Sequence, residues 1–197
     1  YSREELSERC GINLASPTLL VTYHPVTLAY ERTEAQTAEL LAALEEAKLN
    51  VIFTYPNSDT SGRKIIKMIQ DFSAENPRAQ IATSLGTQGY FSVMSHVDAM
   101  VGNSSSGIIE AASFKLPVVN IGDRQKGRLR ERNVIDVGDS RTEIISGIEK
   151  AVSAAFRAKL AGLTNPYGGG HAAETIVEGL KGARLDNQLL MKRFNDG

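Results

Sequence analysis

The sequence is poor in residues that build covalent or metal-held scaffolds. Its 197 residues include one cysteine, Cys10, and no tryptophan. A single cysteine excludes an internal disulfide and a cysteine-rich zinc site, and it weakly favours a reducing compartment. The chain is long enough for one well-filled domain, or for one domain with an appended helical tail.

Long apolar runs and excess charge are also lacking. No stretch approaches the roughly 18 apolar residues of a membrane-spanning helix, and Tyr1–Glu5 is polar and acidic, unlike a signal peptide. The net charge of −1 gives no reason to expect binding to nucleic acid or to an anionic membrane. We therefore expect a soluble cytoplasmic domain with neither kind of partner.

Short β-branched runs alternate with amphipathic segments along the chain, a pattern typical of a parallel sheet covered by helices. The predicted strands are Thr18–His24, Asn50–Tyr55, Ala79–Ser84, Ala99–Val101, Pro117–Ile121 and Asn133–Val137. The predicted helices are Thr33–Lys48, Ser61–Glu75, a short one within Gly86–His96, Ser106–Phe114, Ser140–Leu160 and His171–Lys181. This order predicts an α/β, Rossmann-like parallel sheet with helices on both faces.

The chain divides into three predicted parts. Residues 1–17 resemble a segment arriving from another domain, residues 18–164 form the Rossmann-like domain, and residues 165–197 form C-terminal helices that cross toward a missing partner domain. Two capping boxes are predicted, Ser2 with Glu5 and Thr33 with Gln36, because each pair has the spacing of reciprocal side-chain and backbone hydrogen bonds.

Polar residues follow four predicted strands: His24, Asn57, the cluster 103–106, and Asp123 with Arg124. Open α/β sheets bind ligands beyond the carboxyl ends of their strands. These groups are therefore expected to meet in one crevice.

The segment GNSSSGIIE, residues 102–110, carries the strongest indication of a site. Serines at a helix start present hydroxyls and free N–H groups where the helix dipole favours an anion such as a diphosphate. Glu110 lies about one turn further on, where its carboxylate could accept the hydroxyls of a ribose. A helix cap would explain one serine, but not three in a row between glycines.

Three further residues each have a structural alternative. His24 could donate to a phosphate or transfer a proton, or simply end its strand. Asn57 could contact a phosphate or sugar hydroxyl, or only form a turn. Arg124, in a basic run after a buried strand, could form a forked contact with a diphosphate, or lie in a solvated loop.

Together the motifs HP, YPN, GNSSSGIIE and PVVNIGDRQKGR resemble the carboxy-terminal domain of the UDP-N-acetylglucosamine 2-epimerases, over residues 19–180. The match is closest to the hydrolysing branch of sialic-acid and related nonulosonate pathways. The resemblance implies one half of a GT-B-type two-domain enzyme, which binds UDP-N-acetylglucosamine or a related UDP-sugar without cofactor or metal.

By the same resemblance, Ser104 and Ser105 would contact the phosphates and Glu110 the ribose. Arg124, Asn57 and His24 would line the diphosphate end, with His24 the one candidate catalytic residue, and the backbone near Leu85 would hold the uracil. UDP would be eliminated to give a glycal, to which water adds. The main acid and base residues are expected in the N-terminal domain, so this chain alone would be inactive. The full-length protein is expected to form a homo-oligomer.

Some features depart from the family or leave alternatives open. The turn NPYGGGH, residues 165–171, has Gly169 and His171 where the family has aspartate and asparagine.

A non-hydrolysing 2-epimerase is the first alternative function. A GT-B glycosyltransferase would share the fold but would usually carry an acidic donor-sugar motif in place of GNSSSGIIE. A nucleotide-sensing regulatory module would be a chain complete in itself.

Overall fold

A computed structural model describes residues 1–57, 61–187 and 191, and of residues 27–29 the backbone only. Six parallel strands form one sheet in the order β3-β2-β1-β4-β5-β6. Their bounds are β1 Thr18–Thr22, β2 Asn50–Thr54, β3 Ala79–Ala82, β4 Ala99–Gly102, β5 Val118–Ile121 and β6 Val134–Val137. All six predicted strands are confirmed to within two residues at each end.

The strand order reverses direction between β1 and β4, which are neighbours in space although two strands separate them in sequence. Leu19 pairs with Ala99, and Thr22 at the carboxyl end pairs with Gly102. Such a reversal leaves a crevice at the carboxyl ends of the two strands, where open α/β sheets bind their ligands. The predicted Rossmann-like α/β fold is confirmed.

Eight α-helices lie in the described part of the chain. They are α1 Arg3–Cys10, α2 Thr33–Ala47, α3 Gly62–Glu75, α4 Gly86–His96, α5 Ser105–Ile109, α6 Arg141–Val152, α7 Ala154–Ala158 and α8 Ala172–Gly182. 3₁₀ helices occupy Thr27–Arg32 and Ala111–Phe114.

The sheet is covered on both faces because its strands are apolar on both sides. Alternate residues of a strand point to opposite faces, so Leu19 and Val21 pack with α2, α3 and α6, while Leu20 packs with α1 and α4. Phe53 of β2 meets Phe72 of α3 edge to face, with ring centroids 5.8 Å apart. Two cores therefore hold the sheet, one on each face.

The first predicted capping box is confirmed. Ser2 accepts a hydrogen bond from the Glu5 N–H, and the Glu5 carboxylate accepts one from the Ser2 N–H. Leu6 and Ile12 are buried in the core between α1 and α4. Residues 1–17 thus pack on the sheet domain, and their origin in another domain stays a prediction.

The second predicted capping box is wrong. Thr33 is the first residue of α2 but follows a 3₁₀ helix directly, and its buried hydroxyl has no hydrogen-bond partner among the described residues. Gln36 instead donates to Asp139 at 2.7 Å. The preceding helical turn leaves Thr33 with helical rather than extended backbone, so it cannot act as a cap.

Two predicted helices are each divided. The expected helix Ser140–Leu160 is broken at Ser153, whose extended backbone ends α6 and whose side chain caps α7 by accepting from the Phe156 N–H. The expected helix Ser106–Phe114 is α5 followed by a 3₁₀ helix. The sequence PNSD also predicts a turn over residues 56–59, of which residues 58 and 59 lie outside the described part of the chain.

The chain separates into two compact units, residues 1–166 and 167–197. The second contains α8, whose described side chains are all exposed, Ile176 and Leu180 among them. Among the described residues no helix is long and apolar enough to cross a membrane. The predicted division at residues 17 and 164, with C-terminal helices crossing to another domain, stays a prediction.

Candidate nucleotide site at the carboxyl edge of the sheet

A cavity of about 440 Å³ opens at the carboxyl ends of β1 to β4. This volume lies within the roughly 300–1,000 Å³ of small-molecule sites. It is lined by Thr22, His24, Thr54, Tyr55, Asn57, Ala82, Thr83, Ser84, Leu85, Gly86, Thr87, Tyr90, Phe91, Ser104, Ser106 and Glu110. Apolar and aromatic groups come mainly from the β3–α4 side, and hydroxyl groups line both sides.

Most of the predicted site residues lie in this cavity. His24, Asn57, Leu85, Ser104 and Glu110 all line it, although they come from four different strand ends. Ser105 and Arg124 lie outside the described lining, and Ser106 takes the place expected for Ser105. The functional roles of all seven stay predictions.

Gly102 permits the chain to turn sharply where β4 ends. Its φ of +139° is unfavourable for other residues, and a Cβ there would lie 2.0 Å from the Thr22 carbonyl oxygen. Asn103 then donates its N–H to the same Thr22 oxygen at 3.3 Å. The close approach of β4 to β1 therefore requires glycine, and it delivers the serines that follow to the cavity.

Asn103 is fully buried behind the cavity wall. Its side chain exchanges hydrogen bonds with the backbone of His24, accepting from N–H at 2.7 Å and donating to the carbonyl at 2.8 Å. Its own backbone carbonyl accepts from Arg124 at 3.1 Å and from Gln125 at 2.9 Å. Arg124 is thus held beside the end of β4.

The His24 ring is oriented by its neighbour after β2. The Asn57 N–H donates to His24 Nδ1 at 3.2 Å, so in the neutral ring the proton is on Nε2. His24 is 5% exposed, and its ring is one wall of the cavity. The second nitrogen of this ring is therefore a hydrogen-bond donor.

Ser104 acts as the cap of α5. Its hydroxyl accepts from the Ser106 N–H at 3.4 Å and lies 3.0 Å from the Ser106 hydroxyl. Ser104 thus caps the helix, as the structural alternative for the serine cluster proposed. Ser104 and Ser106 nevertheless both line the cavity.

Glu110 presents a carboxylate with spare acceptor capacity. It lines the cavity from the end of α5, and its buried Oε2 has no hydrogen-bond partner among the described residues. A buried oxygen without a partner is costly unless a ligand donates to it. This is the chemistry of a diol-binding carboxylate.

Tyr90 is a site residue that the sequence did not predict, whereas Asn103 and Ser106 were predicted only as members of the polar cluster 103–106, without roles of their own. The Tyr90 hydroxyl donates to Ser106 at 3.2 Å, and burial, ahead of the nearby Glu110 charge, raises its pKa above the usual value near 10.0. Asn103 and Ser106 stand inside the GNSSSG motif and could have been found there. Nothing in the local sequence marks Tyr90.

A second, wider cavity of about 1120 Å³ lies beyond β5 and β6. Its lining combines basic with acidic side chains: Arg32, Lys126, Arg128, Arg130, Asp123, Asp136, Asp139 and Glu143. The opposite charges offset one another, and Arg32 and Arg130 are already paired with Asp139 and Asp136. The smaller cavity, with its hydroxyls and unpartnered carboxylate oxygen, fits a nucleotide better.

The chain is similar to known proteins over most of its length. The family model for UDP-N-acetylglucosamine 2-epimerase matches residues 1–181. The GDP/UDP-N,N'-diacetylbacillosamine 2-epimerase (hydrolyzing) of Campylobacter jejuni is 42% identical over 68% of this chain and 36% of its own length. The UDP-N,N'-diacetylbacillosamine 2-epimerase (hydrolyzing) of Legionella pneumophila is 36% identical over 97% of this chain and 49% of its own length.

A solved structure shares the fold. UDP-GlcNAc 2-epimerase from Neisseria meningitidis, bound to UDP-GlcNAc, superposes with a TM-score of 0.61 at 21% identity, covering 90% of this chain and 47% of that one. The chain spans about half the length of these relatives, or less. With the family model matched over residues 1–181, the chain belongs to the UDP-N-acetylglucosamine 2-epimerase family.

Proposed function

We propose that this chain is the UDP-binding part of a hydrolysing UDP-N-acetylglucosamine 2-epimerase. The observation that carries the proposal is the unpartnered Glu110 carboxylate oxygen, in one cavity with the Ser104 and Ser106 hydroxyls. Glu110 would accept the ribose hydroxyls while Ser104 donates to the diphosphate. The relatives named as hydrolyzing 2-epimerases support the reaction class.

The two ends of the cavity suit the two ends of UDP. The partly apolar side between β3 and α4, with Leu85 and Phe91, would receive the uracil, in part through backbone groups near Leu85. The side at β1 and β4 would receive the phosphates. His24 Nε2 and the half-buried guanidinium of Arg124 are donors on that side. Both would stabilise negative charge on the phosphates.

These contacts would favour UDP as a leaving group. In the proposed reaction a base removes the proton from C2 of the sugar while the C1–O bond to UDP breaks, giving a glycal and UDP. Water then supplies a hydroxyl to C1 and a proton to C2, which inverts C2. Donors placed on the β-phosphate lower the barrier because negative charge develops there as the bond breaks.

The other parts of the active protein are proposed from the chain's length. Relatives about twice as long, or more, support a further domain across the cleft that supplies most of the acid and base groups. The UDP-sugar would be UDP-N-acetylglucosamine or a diacetylated relative. A cytoplasmic location and a homo-oligomeric full-length protein belong to the same proposal.

The test is the full-length protein with UDP-N-acetylglucosamine and, separately, UDP-N,N'-diacetylbacillosamine. We expect one of them to give UDP and the free 2-epimeric sugar in equal amounts. A UDP-linked 2-epimer as the end product would instead assign the reaction to the non-hydrolysing branch. The 197-residue chain alone should bind UDP and show no turnover, and turnover by it would contradict the proposal.

A further inference from the structure

Five hydroxyl groups in the lining of the smaller cavity form a continuous row of hydrogen-bond contacts. The Tyr90 hydroxyl donates to Ser106 Oγ at 3.2 Å, and Ser106 Oγ lies 3.0 Å from Ser104 Oγ. On its other side Tyr90 lies 3.5 Å from Thr22 Oγ1, which is 2.6 Å from Thr54 Oγ1. This hydroxyl chain connects α4, where the uracil is expected, to the serines expected at the phosphates.

The donors and acceptors give the chain a direction. The Tyr90 hydroxyl donates a hydrogen bond to Ser106 Oγ. Either hydroxyl can donate in the contact between Ser106 and Ser104, and we take Ser106 as the donor because a hydroxyl that accepts a hydrogen bond becomes a better donor. Ser104 Oγ also accepts from the Ser106 N–H at 3.4 Å, so both of its acceptor positions are occupied. With Ser106 as the donor, the Ser104 hydroxyl proton points away from both groups that donate to it, toward the cavity that Ser104 lines.

We infer that Tyr90 is a positioning residue, which orders the hydroxyl chain Tyr90 to Ser106 to Ser104 so that Ser104 donates to the diphosphate. The inference rests on the proposed function and deepens it, because it says how the phosphate donor is oriented. Each hydrogen bond in such a chain polarises the next, which strengthens the last donor.

Burial keeps the Tyr90 hydroxyl protonated, the form in which it can donate a hydrogen bond. Desolvation raises the pKa of Tyr90, and the negative charge of Glu110 raises it further, against the opposing effect of the hydrogen bonds to Ser106 and Thr22. The hydroxyl therefore stays protonated at neutral pH.

The test is calorimetric titration of the 197-residue chain with UDP and with uridine. Tyr90→Phe keeps the ring and removes only the hydroxyl, and we expect it to weaken UDP binding about three- to tenfold while uridine binding is unchanged. Tyr23→Phe is the matched control, because this buried tyrosine lies outside the cavity lining. It should leave both affinities unchanged.

A double-mutant cycle distinguishes an ordered chain from independent contacts. Ser106→Ala breaks the chain one step later, so the Tyr90→Phe/Ser106→Ala double variant should bind UDP no more weakly than Ser106→Ala alone. Additive losses would overturn the inference, as would equal weakening of UDP and uridine by Tyr90→Phe, or no weakening. If the unmodified chain bound no UDP, the proposed function would fail first and the inference with it.

Discussion

Asn103 and His24 exchange two hydrogen bonds, of 2.7 and 2.8 Å, across the point where the strand order reverses. The backbone carbonyl of Asn103 accepts hydrogen bonds from the side chains of Arg124 and Gln125, which lie in the loop after β5. Asn103 therefore joins the ends of three strands: its carboxamide links β4 to β1, and its backbone carbonyl links β4 to the loop after β5. The proposed phosphate donors His24 and Arg124 both depend on it for their position.

Asn103→Ala should be strongly destabilising. It leaves the buried N–H and carbonyl of His24 without their partner, at about 1–3 kcal/mol for each group, so we expect a loss of about 3 kcal/mol in the free energy of unfolding. Urea denaturation measures it. Asn133→Ala is the control, since the side chain of that buried asparagine makes one hydrogen bond among the described residues, to the Leu116 carbonyl. A cost no greater than that of Asn133→Ala would contradict the role given to Asn103.

Gly102→Ala should prevent β4 from approaching β1 as closely as it does. The new Cβ would lie 2.0 Å from the Thr22 oxygen at a positive φ, and we expect a loss of about 4 kcal/mol or failure to fold. Gly127→Ala is the control. Its φ is +83° but the space around it is open, so only the backbone strain of about 1–2 kcal/mol remains. Equal stability of the two variants would contradict this prediction, because it would mean that β4 can move away from β1 at little cost in free energy.

Glu110→Gln should weaken the recognition of ribose. The neutral amide is a poorer acceptor than the carboxylate, so we expect UDP affinity to fall about tenfold. The preference of the unmodified chain for UDP over 2'-deoxy-UDP should shrink at the same time. Glu149→Gln, on the exposed face of α6, serves as control. Unchanged discrimination between the two nucleotides would remove Glu110 from the ribose site.

Tyr23 makes stability depend on alkaline pH. Burial, reinforced by Asp139, raises the pKa of this tyrosine from 10.0 to about 12. Because the pKa is higher in the folded than in the unfolded chain, the folded state keeps the Tyr23 proton to a higher pH. The resulting contribution of Tyr23 to the free energy of unfolding is complete below pH 10 and is lost as the pH rises from 10 to 12. We expect the chain to lose about 1 kcal/mol more than Tyr23→Phe between pH 8 and pH 11. Parallel losses in the two proteins, measured by urea denaturation, would contradict this assignment.

The sheet could be predicted from sequence because its strands are short, largely apolar runs between helical segments. A run such as TLLVT, which is buried at every position, has few alternatives to a central strand. Helix ends were harder to predict. Thr33 and Gln36 have the spacing of a capping box whether or not a 3₁₀ helix precedes Thr33, so the sequence does not show that the cap is absent. Ser153 ends α6 although the helical sequence pattern continues beyond it.

The candidate site was predicted in part, for a similar reason. His24, Asn57, Ser104 and Glu110 follow strands, and parallel strands bring their carboxyl ends together. Tyr90 lies in the middle of α4, so its contact with Ser106 depends on how α4 packs on the sheet. Ser105 was expected in the cavity, but the turn of α5 presents Ser104 and Ser106 there instead.

The nucleotide preference of the 197-residue chain tests the central claim most directly. Calorimetric titration with UDP, UMP and ADP should show UDP binding most tightly: UMP lacks the second phosphate for Ser104 and Arg124, and ADP presents a purine to the side lined by Leu85. Equal affinities for the three nucleotides, or no binding of UDP, would contradict the assignment of this cavity.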